Sequence, residues 1–582
     1  MKGEWSLKEL YDSFEDKQFL NDIETIKQLL KDMEKYPEEE CKEENLKQYL
    51  LDDNHLNGYI QKVSSFISLS MSADTNNKDA IKYYALLEKI IASFALTEAK
   101  IRKWISLFNL EQLKDDYVLE HLFVLKEIQS SNTYLLDEHS EEVIANMRTT
   151  GSSAWLQYKN QIISSMKITL DDKEYALTEV LNMAYSEDAD VRKKAYEAEI
   201  ASYKDVENGI AAALNGIKGE ALTETKLRGY SSVLERTLID SRMERKTLDV
   251  LLSTVKKALP MFERYYQLKA KALGHENGLP WYDMYAPVIK VESSYPYEKG
   301  CEFVVKQFST FSKELGDYAK KAMDNHWIDV YPRSGKVGGA FCDNINCIKE
   351  SRFLLNYGDQ FSDVSTMSHE LGHGYHGECL KDEYLLNTSY TMPIAETASI
   401  FCENIVKKAA LKEASKEEAL AIIENEICDS GQVICDIYSR FLFESKVFEE
   451  REEGPIDAAR LKDIMLEAQK EAYGNGLDHN VLHPYMWTWK PHYYEASYNF
   501  YNFPYTFGLL LAKGLYGMYK KEGDQFPAKY VKFLSMTGKM SIEDVAKSVG
   551  IDLQDEKFWQ NSIDMIKEDI DLFESLLDEY MK

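Results

Sequence analysis

Apolar residues recur at intervals of three and four positions through most of the chain, which is the repeat of an amphipathic helix. Helix-breaking residues are sparse, with 12 prolines and 28 glycines in 582 residues. The sequence therefore predicts a mainly α-helical protein. One stripe follows the 3.5-residue period of antiparallel helix packing, and we predict that all of it lies in the core. The stripe consists of Tyr84, Leu87, Ile91, Phe94, Ile101, Ile105 and Phe108.

Residues 327–358 depart from the helical pattern, with the sequence WIDVYPRSGKVGGAFCDNINCIKESRFLLNYG. Gly335, Gly338 and Gly339 separate short runs of β-forming residues, so this segment predicts a small β-sheet. The segment directly precedes a group of histidines. A sheet edge near residues 351–358 could bind an extended peptide as an added strand, and a purely structural ribbon is the alternative.

Size and charge narrow the class of protein. A chain of 582 residues with 44% hydrophobic residues can bury a sizeable core, in two or three packed subdomains. The formal net charge of −29 argues against a nucleic-acid partner and an anionic membrane surface, because both need clustered Lys and Arg. The eight cysteines show no repeated CxxC spacing and are expected to be reduced thiols, with Cys342 and Cys347 only a weak metal pair.

The first residues, MKGEWSLKELYDSFEDKQF, place an acid in every turn and lack the apolar core of a secretory signal. No run in the chain approaches the roughly 18 apolar residues of a membrane span. We therefore expect a cytoplasmic protein. The sequence leaves the oligomeric state open.

Three of the eleven histidines lie within eight positions, in the segment DVSTMSHELGHGYHGECL. Residues 364–377 are predicted to form a helix capped by Ser362 or Asp363. His369 and His373 then project from one face and can bind one tetrahedral Zn²⁺. Glu370 lies between these ligands, where it can take a proton from a water activated by the metal.

One alternative accompanies that interpretation. The histidines and Glu370 could lie on the solvated surface of an ordinary helix. Gly372 and Gly374 argue for a special environment, since each costs a helix about 1 kcal/mol relative to Ala. We expect another backbone, or a substrate, to approach the helix closely at these glycines.

A third metal ligand is sought downstream, in the segment MPIAETASIFCENIV. A helix crossing the first one could bring Glu396 to the metal and leave the fourth position open for water. Glu403 follows seven residues later on the same helical face and could orient a ligand histidine. His376 is held as another candidate for that orienting role. For each acid the alternative is an ordinary solvated side chain.

These motifs resemble the oligoendopeptidase F type of the thimet oligopeptidase (M3) family of zinc metallopeptidases. The similar segments are HELGH at 369–373, AETAS and CEN at 395–404, YNFYNFPYTFG at 498–508, the opening WSLKELYDSFEDKQF and residues 454–476. The resemblance implies two helical halves flanking a deep channel, with one Zn²⁺ on its floor and short peptides as substrates. We expect an N-terminal helical region over residues 1–190 and a zinc peptidase catalytic domain over residues 191–582.

The resemblance also implies that a His and tyrosines near the C-terminus stabilise the oxyanion of the reaction. Carried over by position, His492, Tyr498 and Tyr505 are the best matches, and Tyr501 is a rival because the His-to-Tyr spacing departs from the thimet branch. A Tyr suits this task because it stays un-ionised at neutral pH. Core packing is the alternative role for each tyrosine.

The sequence thus predicts a zinc-dependent endopeptidase that uses His369, His373 and Glu396 as ligands and Glu370 as general base. A helical metallocarboxypeptidase is the nearest alternative, and a metal-free helical peptide-binding protein is another.

Overall fold

The structure is a computed structural model that describes residues 3–291 and 294–582. Helices dominate it, which confirms the mainly α fold class. In chain order its α-helices are α1 (Lys17–Met33), α2 (Glu43–Ala73), α3 (Lys78–Ile105), α4 (Asp116–Glu120), α5 (Leu122–Asn132), α6 (Glu138–Thr150), α7 (Ser152–Ser165), α8 (Leu177–Asn182), α9 (Ala189–Ser202), α10 (Glu207–Arg228), α11 (Val233–Asp240), α12 (Arg245–Ala272), α13 (Tyr297–Phe311), α14 (Lys313–Asp324), α15 (Phe361–Leu380), α16 (Met392–Glu413), α17 (Lys416–Gly431), α18 (Ile437–Glu453), α19 (Ala458–Tyr473), α20 (Met486–Trp489), α21 (Phe503–Glu522), α22 (Phe526–Ser535), α23 (Ile542–Lys547) and α24 (Glu556–Tyr580). Within these described ranges, no helix is both long and apolar enough to cross a membrane.

Two small sheets accompany the helices. One is a hairpin of β1 (Lys167–Leu170) and β2 (Lys173–Ala176). The other has three strands, β3 (Ile328–Asp329), β4 (Phe341–Ile345) and β5 (Glu350–Leu354), and it confirms the sheet predicted in residues 327–358.

The chain divides into two compact units, each built from three segments. The first contains residues 1–134, 293–409 and 518–551, and the second contains residues 135–292, 410–517 and 552–582. This division differs from the expected functional boundary between residues 190 and 191, and that boundary stays a prediction, as does the channel.

The strand order of the three-stranded sheet corrects one expectation. The order is β3-β5-β4, with β5 parallel to β3 and antiparallel to β4. The predicted peptide-binding edge near 351–358 therefore falls on the central strand, whose backbone pairs on both sides. Four consecutive residues of β5, Ser351 to Leu354, are buried, as expected for a strand covered on both faces. The edge strands of this sheet are β3, which has only two residues, and β4.

The stripe predicted from residues 84–108 is only partly in the core. Its buried members are Leu87, Ile101, Ile105 and Phe108. Tyr84 is 46% and Ile91 is 39% exposed, so the prediction was wrong for these two residues. The buried residues Leu87, Ile90 and Ile101 define the core-facing side of α3. At 3.6 residues per turn, Tyr84 lies about 90° around the helix axis from the centre of that side. The core-facing side is therefore displaced from the stripe.

The helix that carries the histidines, α15, is longer than predicted by three residues at each end. Its N-cap is Gln360, and Asp363 accepts hydrogen bonds from the backbone N–H groups of Gly358 at 2.9 Å and Gln360 at 2.8 Å. Asp363 thus acts from inside the first turn, as in a capping box. This interaction fixes the direction from which the chain leaves the sheet and enters the helix.

Glycines allow α15 to pack closely on its neighbours. A Cβ at Gly372 would lie 2.6 Å from the carbonyl oxygen of Ala398 and 2.7 Å from Cα of Ser399. A Cβ at Gly374 would lie 2.5 Å from the ring of Phe353 in β5. The expected close approach is confirmed, and at Gly372 the backbones of α15 and α16 come into contact.

Candidate active site

Three side chains from α15 and α16 converge in the first unit. His369 Nε2 lies 3.1 Å from His373 Nε2 and 3.3 Å from Glu396 Oε2, and His373 Nε2 lies 3.6 Å from the same oxygen. Their donor atoms all lie within 4.8 Å of one another. The helical spacing sets the two imidazoles on one face, and the contact at Gly372 brings Glu396 to them.

This arrangement fits a metal ion. Two imidazole nitrogens and one carboxylate oxygen form a donor set of the kind found at catalytic zinc sites, which leave one position open. Ligand atoms at about 2.0–2.1 Å from a tetrahedral Zn²⁺ lie about 3.3 Å from one another. The separations of 3.1, 3.3 and 3.6 Å are close to that value. The three residues could therefore hold one metal ion with little rearrangement.

A second carboxylate orients the first histidine. Glu403 Oε1 lies 2.5 Å from His369 Nδ1, and its Oε2 lies 2.8 Å from Lys407 Nζ and accepts a hydrogen bond from Ser365 Oγ at 3.2 Å. Burial raises the pKa of Glu403, but Lys407 and His369 outweigh that effect and lower it to about 2. A charged Glu403 accepts the Nδ1 proton of His369, so that Nε2 is left free to bind a metal.

The other two candidate ligands are also held in place. Ser399 Oγ donates to Glu396 Oε2 at 3.0 Å, and Asn344 Nδ2 donates to the carbonyl oxygen of His373 at 2.9 Å. Asn344 is the residue in β4 that packs against Gly377 of α15. Strand β4 thus supports helix α15 next to His373.

Glu370 lies between the two histidines in sequence and is only 6% exposed. Burial raises its pKa to about 7, with His369 opposing and Glu396 and Glu403 adding to the shift. A carboxyl group with such a pKa can both accept and release a proton near neutral pH.

His376 does not join this cluster. It is fully buried, its Nε2 lies 2.8 Å from Thr537 Oγ1, and its ring stacks on Tyr390 with centroids 4.0 Å apart. Burial lowers its pKa to about 3, so it is neutral. These contacts indicate that His376 packs α15 against the segment after α22.

The second unit brings the C-terminal candidates together. The ring of His492 stacks on Tyr501 with centroids 5.0 Å apart, and Tyr505 lies 6.3 Å from His492. Tyr501 also contacts Tyr498 at 5.1 Å and Tyr505 at 5.6 Å. The four side chains form one aromatic cluster, with the rival Tyr501 at its centre.

Two members of this cluster, His492 and Tyr498, have shifted pKa values. Burial, together with the nearby Arg440 and Lys490, lowers the pKa of His492 to about 4. Burial raises the pKa of Tyr498 to about 12. Both side chains are therefore uncharged at neutral pH, and the Tyr498 hydroxyl keeps its proton.

Comparison with known proteins agrees with these features. The sequence model of peptidase family M3 matches residues 182–565. The chain belongs to peptidase family M3. Within this family it is 23% identical to oligopeptidase PepF of Bacillus subtilis, over 98% of this chain and 87% of that protein. It is 25% identical to an oligoendopeptidase F homolog of Borreliella burgdorferi, over 97% of this chain and 96% of that protein.

Solved structures share the fold of this M3 peptidase. A Chlamydophila abortus protein superimposes with a TM-score of 0.86 at 21% identity, covering 99% of this chain and 98% of that one. Oligoendopeptidase F from Enterococcus faecium gives a TM-score of 0.66 at 19% identity, covering 96% and 99%.

Several supporting residues of this M3 peptidase were missed from the sequence. Lys407 follows Glu403 by four positions, and opposite charges at that spacing on a helix pair readily, so this contact had a signal. The contacts of Ser365 and Asn344 have no signal in the sequence, because they depend on how α16 and β4 pack against α15.

Proposed function

We propose that this M3 peptidase is a zinc-dependent endopeptidase that hydrolyses internal bonds of short oligopeptides. The observation that carries the proposal is the convergence of His369, His373 and Glu396 within 4.8 Å, beside the buried Glu370. The names of its relatives, an oligopeptidase and an oligoendopeptidase F homolog, support the substrate class. A cytoplasmic location stays a prediction.

His369, His373 and Glu396 would hold one Zn²⁺, and a bound ion would supply Lewis acidity and lower the pKa of a nearby water. Glu370 accepts a proton from the attacking water and later delivers it to the leaving nitrogen. Its pKa of about 7 suits both steps. Glu403 keeps the imidazole of His369 in the orientation that the ligand role requires.

The oxyanion that forms during the reaction is stabilised by preorganised hydrogen-bond donors aimed at it. We assign this task to His492 with Tyr498 or Tyr505, and Tyr501 is kept as the rival. The contacts among these side chains, and the neutral state of His492 and Tyr498, support the assignment.

The substrate backbone is proposed to pair with β4, the longer of the two edge strands of the three-stranded sheet, rather than with residues 351–358. Because β4 spans only Phe341–Ile345, it can align only a short stretch of peptide. Peptides of on the order of 6 to 20 residues are expected to be good substrates, since a longer chain adds ordering cost without further pairing.

The test is mass spectrometry of products from a peptide library whose members are blocked at both ends, with Glu370→Gln as the inactive control. Internal cleavage that stops when zinc is removed supports the proposal. Trimming of single residues from unblocked C-termini would instead indicate a metallocarboxypeptidase. Protein that carries no metal after purification without added zinc, and gains no activity when zinc is supplied, would indicate a metal-free peptide-binding protein.

A further inference from the structure

The loop that carries two of the tyrosines adopts a conformation that needs support. Helix α21 begins at Phe503, so Tyr498 and Tyr501 lie in the preceding loop. Between them, Phe500 has a φ of 54°, in the left-handed region that residues with a Cβ rarely adopt. Phe500 is 3% exposed and its ring packs against Phe441 and Phe448. Such strain persists only where the surroundings hold it.

A buried ion pair lies next to this loop. Lys218 of α10 and Glu444 of α18 are each 1% exposed, and Lys218 Nζ lies 2.7 Å from Glu444 Oε1. The ammonium group also lies 4.8 Å from the ring centroid of Phe448, on which Phe500 packs. A buried pair of this kind contributes little to stability compared with apolar residues of the same volume, and its better-attested use is to specify one arrangement.

Each of the two charged groups forms a hydrogen bond with the loop, one before Phe500 and one after it. Lys218 Nζ donates to Asn499 Oδ1 at 2.8 Å, and Asn502 Nδ2 donates to Glu444 Oε2 at 3.0 Å. Thr237 Oγ1 adds a hydrogen bond to the carbonyl oxygen of Asn499 at 2.9 Å. Lys218, Glu444, Asn499 and Asn502 therefore form a chain of contacts, here called the loop clamp, that fixes residues 499–502 from both ends.

We propose that Lys218 and Glu444 are positioning residues that set the tyrosines against His492. Tyr501 lies inside the clamped segment and stacks on His492, and it contacts both Tyr498 and Tyr505. A shift of residues 499–502 would thus change the geometry of the whole aromatic cluster. The inference rests on the proposed role of this cluster in the reaction. Because both side chains are 1% exposed, they are proposed to act through the loop and not by contact with the substrate.

The main experiment replaces the pair by apolar residues of similar size, Lys218→Met with Glu444→Leu, so that no unpaired charge remains buried. Misplacement of reacting groups by about 1 Å can reduce the rate on the order of 100-fold. We expect kcat for a fluorogenic peptide to fall on the order of 10- to 100-fold, with zinc content and thermal midpoint close to wild type. An unchanged kcat in the folded variant overturns the proposal.

The chain offers a matched control in the same unit. Lys269 and Glu424 form another buried pair, 1% and 4% exposed, with an N–O distance of 2.9 Å. Lys269→Met with Glu424→Leu should leave kcat within about twofold of wild type, since the loop clamp is intact. An equal fall in both double variants would mean a general loss of packing and would overturn the specific role.

Two further variants keep the test decisive if the double variant does not fold. Asn499→Ser and Asn502→Ser retain the ion pair and remove its contacts to the loop. Each should lower kcat with little change in KM or zinc content, and two variants with wild-type kcat would refute the clamp.

A double-mutant cycle separates the clamp from the proposed function. If the pair acts through a tyrosine, its effect should shrink when the pair replacement is combined with Tyr→Phe at that position. If the loss of activity caused by Tyr→Phe and the loss caused by replacing the pair are fully additive, the loop clamp is overturned and the proposed role of the cluster is not. Three Tyr→Phe variants at 498, 501 and 505 with wild-type activity would instead overturn the proposed role of the cluster, and the clamp with it.

Discussion

At the metal centre every candidate ligand lies on one of two helices, α15 and α16, whereas in the aromatic cluster Tyr498 and Tyr501 lie on a loop and Tyr505 in the first turn of α21. Helix periodicity fixes His369 and His373 relative to each other without help from distant residues. The loop is instead proposed to take its shape from Lys218 and Glu444, which precede it in sequence by more than fifty positions. Short-range spacing therefore encodes one region, and long-range contacts encode the other.

The largest expected effect tests the metal side of this comparison. Glu370→Gln should lower kcat by about 10²–10⁴-fold, because the amide can hydrogen-bond water but cannot accept its proton. Zinc content, measured by elemental analysis, should stay at the wild-type level. A variant with full zinc and nearly wild-type kcat would show that Glu370 is not the general base.

The next effect tests the aromatic side. Loss of a donor to the oxyanion typically costs about 10²–10³-fold in kcat. Among Tyr498→Phe, Tyr501→Phe and Tyr505→Phe, at least one variant should show such a loss with KM nearly unchanged. Steady-state kinetics of the three variants identifies the donor, and similar wild-type rates in all three would remove the cluster from the reaction.

A smaller effect distinguishes ligand from support within the metal centre. Glu403→Ala should weaken zinc binding by about 10–100-fold, as changes to residues that orient a ligand do. Glu396→Ala should weaken it more, since a donor atom is lost. Competition with a chelator measures both affinities, and the reverse order would mean that the third ligand is misassigned.

The smallest effect concerns the packing that joins the two ligand helices. Gly372→Ala would force a Cβ against Ala398 and should lower the free energy of unfolding by about 1–3 kcal/mol. Gly58→Ala in α2 is the matched control, because a Cβ there meets no atom within 4 Å. It should stabilise the protein by about 0.5–1 kcal/mol. Denaturant unfolding of both variants checks the contrast, and equal changes would argue against the close helix contact.

The sequence predicted those parts of the site that depend on position along one helix. Glu403 follows Glu396 by seven residues, which returns to the same helical face, and it does contact His369. His376 is a different case, because it contacts Thr537 and Tyr390 rather than the candidate ligands. These contacts depend on which elements pack around α15, so the spacing within the helix could not predict them.

Other features could not be predicted because they depend on which elements meet. The sequence of residues 350–354 contains no sign that this strand pairs with β3 as well as with β4, so it predicts an edge where the structure has the central strand. Tyr84 and Ile91 fit an apolar repeat, yet the neighbours of α3 cover a different side of that helix. The positive φ of Phe500 likewise has no local signal, since the two residues that we propose to hold this loop lie on α10 and α18.

The close contact of α15 and α16 at Gly372 also affects the thermal stability of the first unit. His369 and Glu396 belong to separate helices that the chain joins through residues 381–391, so an ion bound by both would act as a cross-link closing that segment. A cross-link of this kind reduces the conformational freedom of the unfolded chain, and binding to the folded state alone adds stability by mass action. Removal of the ion would therefore loosen the connection between α15 and α16 first, while the buried ion pairs of the second unit would be unaffected. Proteolysis within residues 381–391 under chelation would then report metal loss before activity is assayed.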